Sequence, residues 1–208
     1  INVGLVGSEM CIRDSVVGED FCFGKGRSGT VKDLISLGSS MGFEVTIAEL
    51  METEIGQVSS TSIRNALAEG RPNDAAKQLG HWHRIEGVVI GGEQRGRELG
   101  YPTANMSLDD LHLPHLGVYA VLVDVLNGEH VGSYNGVASL GVRPMFGENA
   151  PNLETFIFDF SGDLYGATLS VALVEFMRPE IKFDSLESLI VQMDKDSLKS
   201  REILKSLK

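Results

Sequence analysis

Apolar positions in the first third of the chain fall into short helical and strand-like groups, whereas beyond residue 80 they mostly alternate. Thr30 with Asp33 offers a helix start, followed by a patchy apolar face of Leu34, Ile35, Leu37 and Met41. Phe43, Val45 and Ile47 alternate as in a strand. Ser59 or Ser60 caps a predicted short helix holding Ile63, Ala66 and Leu67. Pro72 opens another through Ala75, Ala76 and Leu79, and Gly80 ends it. This part reads as α/β. The first fifteen residues show no clear period, although Val3, Leu5 and Val6 are compatible with a strand, and residues 1–15 are assigned no function.

The second part reads as antiparallel β. Arg84 to Ile90 starts a strand, and Gly117 to Leu126 alternates so that both faces are partly buried. Asn127-Gly128 predicts a tight type I′ turn, because that turn needs positive φ at both central positions. The chain then returns through Glu129 to Tyr134. A second hairpin is expected from Glu154–Phe160 across Ser161–Asp163 to Thr168–Phe176. Short strands joined by tight turns favour a barrel or sandwich. Asp184 with Glu187 resembles a capping box ahead of Leu186, Leu189, Ile190 and Met193. Asp196 is a candidate cap for a second helix carrying Leu198, Ile203, Leu204 and Leu207, whose leucines are expected to cover an open barrel end; a partner-binding helix is the alternative.

Composition narrows the classes. The 208 residues are 42% apolar and carry a net charge of −11, so the surface as a whole repels nucleic acid and anionic membranes. No apolar run approaches the ~20 residues that span a bilayer. Cys11 and Cys22 fit no zinc spacing, and a reduced cytoplasmic setting is the simplest reading. Any polyanionic ligand must then rely on a local basic pocket, for which Arg95, Arg97 and Arg143 are candidates.

The chemistry concentrates in Gly92 to Asn105, where glycines at 92, 96 and 100 and Arg97 lead into Pro102-Thr103-Ala104-Asn105. Glycines let backbone N–H groups approach a phosphate closely. Thr103 and Asn105 lie two apart, so in an extended segment both project to one face. Nucleotide-bound magnesium keeps several waters and takes few protein oxygens, which a hydroxyl and an amide carbonyl supply. The glycines alone would better suit a turn between strands.

These residues also carry a resemblance. GRELGYPTAN, followed in order by GVYAV, GVASLGVRPMFG, LETFIFDFSGDLYG and EFMRPEIKF, resembles riboflavin kinase, in particular the kinase module of bacterial bifunctional riboflavin kinase/FAD synthetase. It runs from about His81 to the C-terminus. A weaker resemblance, in GEDFCFGKGRSG and SSTSIR between Val16 and Gly80, is to the tail of the adenylyltransferase module. The implied organisation is an unrelated stretch 1–15, a truncated α/β nucleotidyltransferase remnant 16–80, and a kinase domain 81–208. The implied fold of the last is a six-stranded antiparallel Greek-key β-barrel with C-terminal helices.

The resemblance implies transfer of the ATP γ-phosphoryl group to the riboflavin 5′-hydroxyl, giving FMN, with Mg2+ on Thr103 and Asn105. Glu154 stands where the family has its general base, near the start of an otherwise apolar strand. Gly92, Gly96, Arg97, Gly100 and Pro102 would line the ATP phosphates, and Arg143 either reaches the nucleotide or braces a turn. Glu175, Arg178 and Phe183 lie where the family closes over flavin, and each is equally open to a structural role. Lys25, Arg27 and Arg64 are implied phosphate contacts or solvated charges. Three positions depart from the pattern: Cys22 for arginine, Met145 for threonine, and Phe156 for histidine or tyrosine. The parent adenylylates FMN to FAD through an upstream H-x-G-H motif; the histidines here are His81, His83, His112, His115 and His130, so no adenylyl transfer is expected. The expected partners are ATP and riboflavin, with no nucleic acid and no membrane, and the expected state is a monomer, with an oligomer as the alternative. The competing class is a non-catalytic flavin- or nucleotide-binding barrel, against which the joint presence of Thr103, Asn105 and Glu154 argues.

Overall fold

The computed structural model describes residues 14–91, 100–108, 111–145 and 148–207, with backbone alone described at 143–145 and 148–149. The chain divides into two compact units, residues 1–58 and 59–208.

In the first unit, β1 (Asp14–Gly18) begins inside the segment left unassigned. A short pair, β2 (Cys22–Phe23) and β3 (Gly29–Thr30), precedes α1 (Val31–Met41). Then β4 (Glu44–Ala48) returns parallel to β1, with Val16 opposite Thr46 and Val17 opposite Ile47. The Thr30–Asp33 cap is present: the Thr30 amide and hydroxyl donate to Asp33 Oδ2 at 2.8 and 2.7 Å. The apolar face expected on α1 is only partly used, since Val31 and Gly38 are buried while Ile35, Leu37 and Met41 are exposed. A two-residue pair, β5 (Glu52–Thr53) and β6 (Gly56–Gln57), ends the unit.

The second unit opens with α2 (Ser60–Ala68), capped by the Ser59 hydroxyl, which accepts from the Ser62 amide at 3.1 Å. Next comes α3 (Pro72–Leu79), which has proline in its first turn and ends at Gly80 with φ 76°, where glycine avoids the left-handed penalty. Both helices bury Ala66, Leu67 and Ala75 against each other. They pack within the same unit as the strands that follow.

Those strands are β7 (Arg84–Val88), β8 (Thr103–Ser107), β9 (Gly117–Val125), β10 (Gly132–Met145), β11 (Glu148–Ile157) and β12 (Thr168–Arg178). They form one antiparallel sheet in the order β7-β12-β9-β10-β11-β8, and the bridge Ile90–Asn105 joins the two edges into a nearly closed barrel. Alternation sorts the side chains: Tyr119, Val121, Val123, Leu140, Leu153 and Leu169 fill the interior. The outward set includes Ala120, Phe158 and Val174, which the C-terminal helix α4 (Leu186–Lys205) covers with Leu204. Central β9 is therefore largely buried on both faces, as the apolar residues on both sides of its alternation suggested, with Asp124 half-buried.

Several expectations are corrected. Segments 154–160 and 168–176 do not pair: β11 sits between β10 and β8, while β12 sits between β9 and β7. The connection carries the chain from β11 to the far side of the sheet order and is no hairpin, because both neighbouring places of β11 are taken by β10 and β8. Asn127-Gly128 does not form a type I′ turn, since Gly128 has φ 89° but Asn127 is not among the positive-φ residues. Instead the Asn127 side chain brackets Thr168, accepting from its amide at 2.8 Å and donating to its hydroxyl at 3.0 Å. One 20-residue helix replaces the two expected. Its cap is Ser185, whose hydroxyl accepts from the Ser188 amide at 3.2 Å, rather than Asp184. Asp196 lies mid-helix, where a buried partner outweighs its capping tendency. Helix α4 also lies along the barrel's outer face rather than over an end, leaving Leu198 and Leu207 exposed.

Candidate active site

Gly100 adopts φ 82°, a left-handed turn that sets Tyr101 and Pro102 to lead into β8. Along β8, Ala104 and Met106 belong to the interior, so Thr103 and Asn105 share the opposite face, as their spacing predicts. Strand β11 lies alongside with Glu154 directly opposite Asn105, Phe156 opposite Thr103 and Asn152 opposite Ser107. Directly opposed residues have Cβ atoms about 4.5–5.5 Å apart, so register alone brings the carboxylate beside the amide.

Asn152 links the pair. Its Nδ2 lies 3.5 Å from Asn105 Oδ1 and 3.4 Å from Glu154 Oε1, while Asn105 Nδ2 donates to the Thr103 carbonyl at 3.2 Å. The carbonyl end of Asn105 thus faces the carboxylate side, and among the described residues it accepts one long contact, from Asn152. An amide oxygen has two lone pairs, so it keeps capacity for a cation. Among the described residues Asn152 Oδ1 and Thr155 Oγ1 are buried without a hydrogen-bond partner, a costly state for a polar atom.

Thr103 and Asn105 also line a cavity of about 430 Å³. Its other walls include Val89, Pro102 and Ile157, with Phe160, Leu164 and Tyr165 from the loop that follows β11. This size suits a drug-sized or nucleotide ligand. Among the described residues no group of three or more His, Cys, Asp and Glu could hold a metal ion. The donor set at Thr103 and Asn105 is neutral oxygen, which fits magnesium carried in on phosphates and not a dedicated acidic cage.

The remaining expected residues spread apart. Gly92, Gly96 and Arg97 lie outside the described residues. Arg143 is described by backbone alone, paired with Ala150 in the β10–β11 ladder. Glu154, Glu175, Arg178 and Phe183 lie off the cavity lining. Arg178 is held by Asp196, with Nε at 3.0 and Nη2 at 2.6 Å from Oδ2, and Gln192 donates to the same carboxylate at 2.9 Å. Asp159 is a surface group paired with Arg201, which holds its carboxyl below the usual range. Asp163 caps its own loop, accepting from the Tyr165 amide at 2.9 Å.

Asn152 and the 160–165 loop were missed in the sequence reading. Asn152 was findable: it stands two before Glu154, hence on the same strand face. The loop carried no such signal, because its place over β8 depends on the crossover.

Comparison with known proteins agrees with this architecture. The family model described as FAD synthetase matches residues 5–62. A Listeria monocytogenes bifunctional riboflavin kinase/FMN adenylyltransferase is 38% identical over 194 residues, covering 92% of this chain and 60% of that protein. The Pseudomonas fluorescens protein of the same name is 40% identical over 188 residues, covering 90% and 59%. A crystal structure from Streptococcus pneumoniae, described as a macrolide-efflux protein, superimposes with a TM-score of 0.76 at 37% identity, covering 88% of this chain and 58% of that one. The chain thus spans about three fifths of the length of the curated relatives it matches. Among the described residues no helix is long and apolar enough to cross a membrane. The family model described as Riboflavin kinase matches residues 79–204, which hold all six barrel strands and most of α4, and the chain belongs to the riboflavin kinase family.

Proposed function

We propose that this chain transfers the γ-phosphoryl group of magnesium-bound ATP to the 5′-hydroxyl of riboflavin, producing FMN and ADP. The observation that carries the proposal is the cross-strand pairing of Asn105 with Glu154, beside a cavity that Thr103 and Asn105 themselves line. In this reading Thr103 Oγ1 and Asn105 Oδ1 hold the magnesium ion, which supplies charge neutralisation on the phosphates when bound. The nucleotide occupies the cavity against its apolar walls. Glu154 accepts the hydroxyl proton as the ribityl oxygen forms its bond to the γ-phosphorus and the bond to the β–γ bridging oxygen breaks. Little covalent chemistry is then left to the protein beyond alignment and charge stabilisation.

Glu175 and Phe183 remain the candidates for flavin-facing groups. Arg178, engaged by Asp196, is assigned to holding α4. The 92–100 segment, with Arg97, is assigned to the phosphates. The adenylyltransferase-like character of the first unit is supported by the family model described as FAD synthetase, which matches residues 5–62. A cytoplasmic monomer is the accompanying expectation.

Chromatographic detection of FMN from riboflavin and magnesium–ATP tests the reading. Glu154→Gln should retain both ligands and lose about 10²–10⁴-fold in turnover, the range of a positioned general base. Undiminished turnover in that variant would remove Glu154 as the base. Binding of both ligands by the unaltered protein without FMN formation would favour the non-catalytic barrel.

A further inference from the structure

We infer that Tyr101 is a positioning residue, latching the metal-binding end of β8 to the C-terminal helix; this rests on the magnesium–ATP reading of Thr103 and Asn105. Three observations meet at this side chain. First, its ring packs on Phe156 with centroids 4.9 Å apart and planes at 59°. Phe156 is the residue directly opposite Thr103. Second, its hydroxyl donates to Asp194 Oδ1 on α4. Third, Tyr101 is followed by Pro102, which fixes its own φ and drives the preceding residue into extended conformations. Pinned at ring and hydroxyl, Tyr101 fixes the backbone that enters β8 two residues before Thr103.

The anchor it reaches is itself well held. Two residues beyond Asp194, Asp196 binds the Arg178 guanidinium, with Nη2–Oδ2 at 2.6 Å. Further along, the buried Ser200 hydroxyl donates to the Gly136 carbonyl at 2.8 Å, and Leu204 is buried against the sheet. Helix α4 thus forms a fixed post on the outer face of β9, β10 and β12. Asp194 itself is exposed, so its bond to Tyr101 contributes little to global stability. Its effect falls instead on the local placement of the segment two residues away.

The position of Phe156 sharpens the inference. A polar ring there could approach the reacting groups directly. Phenylalanine cannot, and instead offers a surface on which Tyr101 sits.

The test is calorimetric binding of magnesium–ATP and of ATP in excess chelator to Tyr101→Phe, Asp194→Ala and Asp194→Asn. Tyr101→Phe keeps the ring and removes only the donor, and Asp194→Asn keeps an acceptor. Loss of one hydrogen bond to a charged, exposed group should weaken magnesium–ATP binding by about 3–10-fold in Tyr101→Phe and Asp194→Ala. Metal-free ATP binding should be unchanged, the Tm within about 2 °C, and Asp194→Asn close to the unaltered protein. Steady-state KM for magnesium–ATP should rise with kcat nearly constant. Unchanged magnesium–ATP affinity in Tyr101→Phe overturns the inference, as does an equal loss of metal-free binding. A protein that binds magnesium–ATP tightly but makes no FMN would sink the proposed reaction and leave the latch standing. One that binds no magnesium–ATP sinks both.

Discussion

Separating Arg178 from its carboxylate partner distinguishes a structural guanidinium from a flavin-binding one. Arg178 and Asp196 side chains are 20% and 8% exposed, and the pair has two contacts of 3.0 and 2.6 Å to one oxygen plus a Gln192 donor at 2.9 Å. Removing one member of a buried pair costs about 3–5 kcal/mol, mostly because the other is left uncompensated. Arg178 retains some water contact, so Asp196→Ala belongs at the lower end, about 2–4 kcal/mol. For a domain of about 150 residues that is a Tm fall of roughly 5–15 °C. Urea denaturation followed by circular dichroism measures it. Arg178→Met should be similarly harmful, and Arg178→Met/Asp196→Leu should recover much of the loss because no charge is then stranded. Additive losses in the double variant, or an Arg178→Met protein of normal stability that no longer binds riboflavin, would refute the structural assignment.

Three further outcomes follow from the geometry. Asn105→Ala should weaken magnesium–ATP binding while leaving riboflavin binding by fluorescence quenching nearly intact; a matched loss of both would indicate misfolding. His83 is held below its usual pKa, first by burial and then by the charges of His112 and His81. The unfolded chain therefore binds more protons on acidification, so stability is unaffected above about pH 6.5 and falls as pH drops below it. His83→Gln should flatten that slope in denaturant titrations at pH 5–7. Gly136→Ala would place a Cβ 2.7 Å from the Phe156 carbonyl oxygen, forcing β10 and β11 apart beside Glu154. Such overpacking should cost about 1–3 kcal/mol by urea melts, and FMN formation should fall with it.

The readable parts of the chain were those governed by neighbours in sequence. The Thr30–Asp33, Ser59 and Gly80 helix ends were legible because caps are satisfied within three or four residues. The double burial of β9 was legible because nine nearly continuous apolar positions leave no polar face for water. The shared face of Thr103 and Asn105 followed from strand period alone. Two misreadings were local, the Asn127-Gly128 turn and the cap at Ser185 rather than Asp184, and the larger ones were long-range. Asp196 looked like a helix start until Arg178, 18 residues earlier, was found to hold it inside one continuous helix. Segments 154–160 and 168–176 looked like a hairpin because sequence proximity favours local pairing, but each strand has only two edges, and distant strands already occupied them.

By itself, then, the sequence determined the family pattern, the strand-rich character of residues 81–208, and the identity of Thr103, Asn105 and Glu154 as chemically suited groups. Tertiary structure alone decided that Asn105 faces Glu154, that Asn152 bridges them, and that Tyr101 reaches α4 from 93 residues away. Local spacing constrains which side of a strand a residue occupies. Cross-strand register, which puts two such residues within bonding reach, is set by the packing of the whole barrel core.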